Sequence, residues 1–205
     1  MKKLIFAFIA ICVFTNYSVS AQKSTHEFSA YYAAASDNQM IDVFQKIFNS
    51  VLSAGYYQPD DIKYTGDFGL TYRYNISDRF AVGATALYGQ SNYNAYDVNN
   101  LEQRVFMGKG VTSFTTIAAE AKLNYYSNDI LSLYGFLGAG ATLWNYKYEK
   151  KAGSTEPEPV KIAPATMFNF QVTPFGISVG KKVGGFAEVG FGYKGLAAVG
   201  IFVRL

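Results

Sequence analysis

The most regular pattern in the chain is the alternation over its last ten residues, 196–205. Leu205, Val203, Ile201 and Val199 fall on every second position, and smaller or polar residues fall mostly between them. A period of two is that of a β-strand with two different faces. About ten residues are also enough for a tilted strand to cross a bilayer. The pattern predicts a membrane-crossing strand at this end of the chain.

The same alternation recurs in seven further segments, which makes eight predicted strands. Around Glu120 and Lys122 one face holds charged and small residues, whereas the opposite face is apolar and bulky. A bulky apolar face suits lipid, and a small, charged face suits a narrow interior. A change of register at Pro174 predicts a bulge. The strands are predicted near 26–35, 64–75, 79–90, 112–126, 130–147, 165–180, 184–193 and 196–205.

The predicted connections alternate between short and long. Polar turns follow strands two, four and six, and long segments follow strands one, three and five, near 36–63, 91–111 and 148–164. Outer-membrane barrels have short periplasmic turns, long outer loops and an even number of strands. The fold prediction is therefore all-β: a closed antiparallel eight-stranded transmembrane β-barrel in an outer membrane, with both termini in the periplasm.

One short amphipathic helix is predicted in the first outer loop, at 37–54. Asp37 or Asn38 is the expected N-cap, and apolar residues follow at helical spacing. Such a stripe is expected to be buried, either at the outer-leaflet interface or over the barrel rim, unless the helix acts as a lid or a docking element. The stripe consists of Met40, Phe44, Ile47, Phe48, Val51 and Leu52.

The start of the chain has the layout of a cleaved secretory signal. Lys2 and Lys3 precede an apolar run that is too short to span a membrane, and small residues end at Ala21. We expect a signal peptide at 1–21 and a single barrel domain at 22–205. Cys12 lies in the apolar run, so the mature chain is expected to contain no cysteine.

Charge and composition narrow the classes of function that the chain is expected to have. Without Lys2 and Lys3 the chain has 16 basic and 15 acidic residues, a formal net charge of +1, which does not favour nucleic-acid binding. The one histidine, His26, lies at the predicted periplasmic start of strand one, far from the outer leaflet. A base-assisted nucleophile and a metal site are therefore not expected, and neither is a cofactor. The protein is predicted not to be an enzyme.

Candidate functional residues form two groups. The first is a barrel-interior polar cluster of both charges, which is expected to fill the lumen with ion pairs; the alternative is a gated ion path. The second is a set of outer-loop residues in 91–111 that can bind a surface ligand. The interior cluster comprises Glu27, Asp67, Arg73, Glu120, Lys122, Glu188 and Arg204, and the outer-loop candidates are Tyr93, Tyr96, Arg104 and Phe106.

Two stretches, 69–83 and 190–196, resemble the small outer-membrane β-barrel family of Gram-negative bacteria, which includes OmpX and the barrel half of OmpA. They read GLTYRYNISDRFAVG and GFGYKGL. The resemblance implies an eight-stranded wall, contact with outer-membrane lipid, and recognition of the C-terminal strand by the barrel-insertion machinery. That family usually ends in phenylalanine, whereas this chain ends in Leu205.

Three functions follow as alternatives. The first is a non-enzymatic integral outer-membrane barrel that stabilises the envelope or binds a ligand through its outer loops. The second is a narrow channel for small or apolar solutes, favoured by glycines on the interior face. The third is a soluble barrel that carries a ligand, which requires the apolar faces to point inward. The sequence identifies no surface ligand.

Overall fold

The computed structural model describes residues 26–52, 57–98, 104–151 and 163–205. The predicted signal peptide at 1–21 and the predicted end of the helix at 53–54 lie outside these residues. The described part contains eight strands and one helix. In chain order they are β1 His26–Ala34, α1 Asp37–Leu52, β2 Tyr57–Asn75, β3 Phe80–Val98, β4 Arg104–Ser127, β5 Leu131–Lys150, β6 Ala165–Gly180, β7 Val183–Gly192 and β8 Ala197–Arg204.

The eight strands form a closed antiparallel barrel, which confirms the predicted fold. Each strand pairs with its neighbours in sequence, and β1 closes the ring against β8 through pairs such as Ala30 with Ile201. Opposite Gly135, strand β6 carries the extra residues Pro174 and Phe175, because Tyr134 pairs with Gly176 and the next pair skips both. The predicted bulge is therefore present.

The two faces of the wall are inverted relative to a soluble protein. Leu70 and Ile201 on the outside are 66% and 65% exposed, whereas the inward-facing Thr116 is fully buried. In β1 the burial alternates strictly, with Glu27 inside and Phe28 outside. The soluble-carrier alternative is wrong for this structure, because its apolar faces point away from the lumen.

Four strands are longer than predicted, and the long loop at 91–111 is not a loop. β3 continues to Val98 and β4 begins at Arg104, so the connection between them spans only 99–103. Strands β2 to β5 contain 19 to 24 residues, against 8 to 10 for β1, β7 and β8. We call the projecting parts of β2 to β5, residues 57–66, 90–98, 104–113 and 145–150, the outer wall.

The opposite end of the barrel, the turn end, carries short polar turns. The Asn128 side-chain oxygen accepts hydrogen bonds from the backbone N–H groups of Ile130 (2.9 Å) and Leu131 (2.7 Å), an Asx turn that reverses the chain between β4 and β5. The end that carries the outer wall is called the mouth. There, Gly195 adopts a φ of 75°, and a side chain at this position would collide with the Ala34 backbone.

Helix α1 lies in the mouth with its polar face buried, and burial of its apolar stripe at the outer-leaflet interface or over the barrel rim stays a prediction. Asn38, Asp42 and Lys46 are 1%, 1% and 6% exposed, whereas Met40 of the apolar stripe is 42% exposed. The reason is that the mouth is lined by polar side chains of the lumen. Ser36, not Asp37 or Asn38, is the N-cap, since its hydroxyl accepts a hydrogen bond from the Gln39 N–H. No helix in the described ranges is long and apolar enough to cross a membrane.

Candidate functional site

A row of paired residues places opposite charges side by side inside the barrel. Arg204 pairs with Glu27 across β8 and β1, and Glu27 pairs with Arg73 across β1 and β2. Continuing the row, Arg73 pairs with Gly83, and Gly83 pairs with Glu120. Because Gly83 has no side chain, the Arg73 guanidinium reaches across it to Glu120, with Nη2 2.8 Å from Oε2.

A second set of contacts extends this network toward the mouth. Lys194 Nζ lies 2.7 Å from Glu120 and 3.7 Å from Glu188. Tyr193 donates a hydrogen bond to Glu120 (3.1 Å), and Tyr134 donates one to Glu188 (2.8 Å). The ion cluster is defined by its seven charged members, all in the lumen: Glu27, Arg73, Glu120, Lys122, Glu188, Lys194 and Arg204.

Six of the seven predicted interior residues lie in this cluster, and Asp67 lies apart from it. Sequence reasoning missed Lys194, which lies between the strands predicted at 184–193 and 196–205. It follows β7, and the turn folds inward so that Lys194 is 2% exposed. Its backbone N–H donates to Gln171 (2.8 Å), which holds the turn over the lumen. The strand period ends at Gly192, so alternation gave no signal for Lys194.

Aromatic rings and long side chains fill the space around the charges. Lys194 Nζ lies 4.6 Å from the Tyr31 ring centroid and 4.5 Å from that of Phe136, within cation–π range. The interior glycines that favoured a channel are covered. A side chain at Gly138 would collide with the Tyr193 hydroxyl, and one at Gly200 would collide with Phe186. These glycines make room for large neighbours rather than for a solute path.

The first turn of α1 docks onto the lumen wall above the ion cluster. Asn38 donates to Thr116 (3.3 Å) and accepts from Asn169 (3.0 Å). Gln39 donates to Asp67 (3.2 Å), the predicted interior residue that lies outside the ion cluster. Asp67 is fully buried and lies over Gly89, where any side chain would collide with its carboxylate. Its negative charge at the helix N-terminus is favourable.

The second turn of α1 is held by a charged contact. Lys46 forms an ion pair with Asp42 one helical turn earlier and donates to Ser91 (3.0 Å). Asp42 also accepts hydrogen bonds from Tyr64 (2.9 Å) and Ser91 (2.8 Å) of the outer wall. The Tyr93 ring centroid lies 4.3 Å from Lys46 Nζ. The helix therefore plugs the mouth through its polar face.

Burial shifts the pKa values of two charged groups on α1. It raises the pKa of the Asp37 carboxyl, although hydrogen bonds from Asn169 and the Asn38 backbone oppose the shift. It lowers the pKa of the Lys46 ammonium, although Asp42 opposes that shift. The docked helix therefore binds a proton more tightly at Asp37 and less tightly at Lys46 than the undocked helix does. Acid favours docking through Asp37, and rising pH favours it through Lys46.

The four predicted outer-loop candidates do not converge on one site. Tyr93 faces α1 in the mouth, whereas Tyr96 and Phe106 form an edge-to-face pair with centroids 5.7 Å apart. Arg104 lies opposite Val98 in the register, and its side chain is outside the described part. All four residues belong to strands β3 and β4 of the outer wall, not to a loop as predicted.

His26, the one histidine of the chain, has surroundings that do not indicate catalysis. His26 Nδ1 lies 2.9 Å from the Tyr72 hydroxyl, and its ring centroid lies 5.4 Å from that of Tyr74. Among the described residues, no three His, Cys, Asp or Glu side chains come together in a way that can hold a metal ion. The His26 contacts are those of an aromatic cluster on the outside of the barrel.

The outside of the barrel carries a continuous apolar surface, here called the apolar belt. Along β2 it runs through Phe68, Leu70, Tyr72 and Tyr74, all of them exposed, and aromatic rings lie on either side of Leu70. Membrane barrels have this arrangement of an apolar band between aromatic girdles around a polar interior. The protein has the fold of the small outer-membrane β-barrels.

Comparisons with known proteins return barrels of this type. The N-terminal β-barrel domain of Pseudomonas aeruginosa OprF is 14% identical, with 89% of this chain and 98% of that chain covered and a TM-score of 0.42. The Yersinia pestis outer membrane protein Ail is 16% identical, with 89% and 100% covered and a TM-score of 0.39. No family model and no curated protein matches the sequence. The fold assignment itself comes from the register of the eight strands.

Proposed function

We propose that the protein is a non-enzymatic integral outer-membrane barrel that stays closed and binds a surface ligand or stabilises the envelope through its outer wall. The observation that carries this proposal is the apolar belt around a lumen that contains the buried ion cluster. In water the belt would expose a large apolar surface, whereas in a bilayer it contacts lipid. The proposed partners are outer-membrane lipid and, during assembly, the barrel-insertion machinery acting on β8.

The orientation follows from the two ends of the barrel. Short turns and both ends of the described barrel, at His26 and Leu205, lie at the turn end, where the His26 N–H donates to the Leu205 carbonyl. Outer-membrane barrels have their short turns in the periplasm. We therefore place the turn end in the periplasm and the outer wall outside the cell.

Single cysteines test this orientation, because a mature chain starting after Ala21 contains none. Lys109→Cys, on the outer wall, is expected to react with a membrane-impermeant maleimide in intact cells. Asp129→Cys, in a turn, is expected to react only after the outer membrane has been permeabilised. Labelling of Asp129→Cys in intact cells would contradict the orientation, and recovery of both variants in the soluble fraction would contradict the membrane location.

The filled lumen predicts that the barrel does not conduct. In planar bilayers we expect no steady unitary conductance from the protein. A variant with 37–52 replaced by a Gly-Ser linker is also expected to stay closed, because the ion cluster lies below the helix. Steady current steps from the unaltered protein would favour the channel alternative instead. Steps from the linker variant alone would identify α1 as a gate.

A further inference from the structure

One carboxylate at the turn end of the lumen is shared by three cations. Glu27 Oε2 lies 2.8 Å from Arg204 Nε, and its Oε1 lies 3.4 Å from Arg73 Nη1 and 3.6 Å from Lys122 Nζ. The other two carboxylates of the ion cluster face Arg73 and Lys194. The cluster therefore contains four cations and three carboxylates, and the excess positive charge lies near Glu27.

Lys122 is the cation of the cluster that lies farthest from a carboxylate. Its side chain is 4% exposed and its Nζ lies 3.6 Å from Glu27 Oε1, whereas each of the other three cations has a carboxylate oxygen within 2.8 Å. Its other close contact is the Tyr134 ring, whose centroid lies 4.0 Å from Nζ. Arg204, by contrast, also donates to the Gly180 carbonyl and to the Ser178 hydroxyl. A buried ammonium group is costly unless it is paired and hydrogen-bonded.

Lys122 and Glu27 line a polar cavity that is open at the turn end. The cavity has a volume of about 270 Å³, and Arg204, Ser132 and Lys182 also line it. This is below the roughly 300–1,000 Å³ found for drug-sized ligands, so the cavity suits a small ion with water. Its rim holds the Lys181–Asp129 pair at 3.0 Å, in which both side chains are more than half exposed.

We propose that this cavity binds a small oxyanion, a phosphate or a carboxylate, with Lys122 as its principal charged contact. The anion balances the excess cation of the cluster and accepts hydrogen bonds from the Lys122 ammonium group. Ser132, which also lines the cavity, supplies a hydroxyl donor. The carboxylates Asp78 and Asp129 also line the cavity, but both are exposed to solvent, and Asp129 is paired with Lys181.

Calorimetric titration of the folded protein in an uncharged maltoside detergent tests the proposal. The two probes are inorganic phosphate and acetate as their sodium salts, and sodium chloride is the background electrolyte throughout. We expect saturable binding of at least one probe, weakened tenfold or more in Lys122→Met. The matched control Lys181→Gln, which removes a rim lysine that is already paired, is expected to bind within twofold of the unaltered protein. The stronger probe identifies the class of oxyanion.

Two results of this titration would overturn the proposal. Absence of saturable binding of both probes would exclude the site, and so would unchanged binding in Lys122→Met. If that variant fails to fold, NMR of the unaltered protein replaces it. The side-chain signals of Lys122 are then expected to shift with added phosphate or acetate, while those of Lys181 stay fixed. Unmoved Lys122 signals would overturn the proposal. Uncharged detergent excludes a phospholipid headgroup as the source of phosphate.

Discussion

Replacement of Glu120 by glutamine is expected to lower the free energy of unfolding by about 3–5 kcal/mol, the range found when one partner of a buried ion pair is removed. The Glu120 side chain is fully buried, with Arg73 at 2.8 Å and Lys194 at 2.7 Å. The substitution leaves two buried cations with less compensation, and the Tyr193 hydroxyl loses a charged acceptor. The loss is large because water does not reach these groups.

Unfolding by urea in lipid vesicles measures this loss, with Trp144, the single tryptophan, as the fluorescent reporter. It is 1% exposed and packs edge-to-face on Phe114, with ring centroids 4.8 Å apart. Unfolding exposes the indole to a different environment, which changes its emission. The transition therefore reports on the barrel interior.

Two further variants show whether the loss comes from burial of charge. Lys181→Gln breaks the exposed Lys181–Asp129 pair and is expected to cost at most about 1 kcal/mol. Glu120→Gln combined with Lys194→Met removes one cation together with the carboxylate, so the double variant is expected to be more stable than the sum of the single changes. A loss for Glu120→Gln as small as that for Lys181→Gln would mean that the lumen is hydrated.

The barrel itself was predictable because lipid imposes a period of two on every strand that crosses it. The ends of the strands were not. In the outer wall, Asn92 and Asn94 continue the ladder of β3 opposite Val111 and Lys109. Outside the belt a strand needs no continuous apolar face, so its sequence can resemble that of a polar loop. This is why 91–111 was interpreted as a loop.

The same reasoning explains which parts of the lumen could be predicted. Glu27, Arg73 and Glu120 lie inside regular strands, where alternation alone assigns them to the interior. Lys194 lies in a turn, where alternation gives no information. Helix α1 was predicted from its spacing, but the spacing did not show that its polar face meets the lumen, because the usual rule that an apolar stripe faces the core assumes an apolar core. Here the nearest interior is polar, and Asn38, Asp42 and Lys46 meet it.

A charge placed on the apolar belt tests whether the outside of the barrel contacts lipid. Leu70 lies on the outside of β2 between Phe68 and Tyr72, in the middle of the belt. In lipid vesicles we expect Leu70→Arg to lower the free energy of unfolding by about 2–4 kcal/mol, because the guanidinium must be moved from water to the bilayer midplane. In the folded state no inward rotation can relieve this cost, since the lumen side of the strand is filled.

Val105→Arg is the matched control for Leu70→Arg. Val105 is also an exposed apolar strand residue, 45% exposed, but it lies on the outer wall above the belt. The side chain at position 105 contacts water both in the unaltered protein and in Val105→Arg, so the free energy of unfolding is expected to change by no more than about 0.5 kcal/mol. Equal costs for the two substitutions would mean that the belt does not contact hydrocarbon. Both changes replace an apolar β-strand residue with arginine, so a difference in β-strand propensity cannot explain a cost confined to Leu70→Arg. Such a cost would come from the depth of position 70 in the membrane.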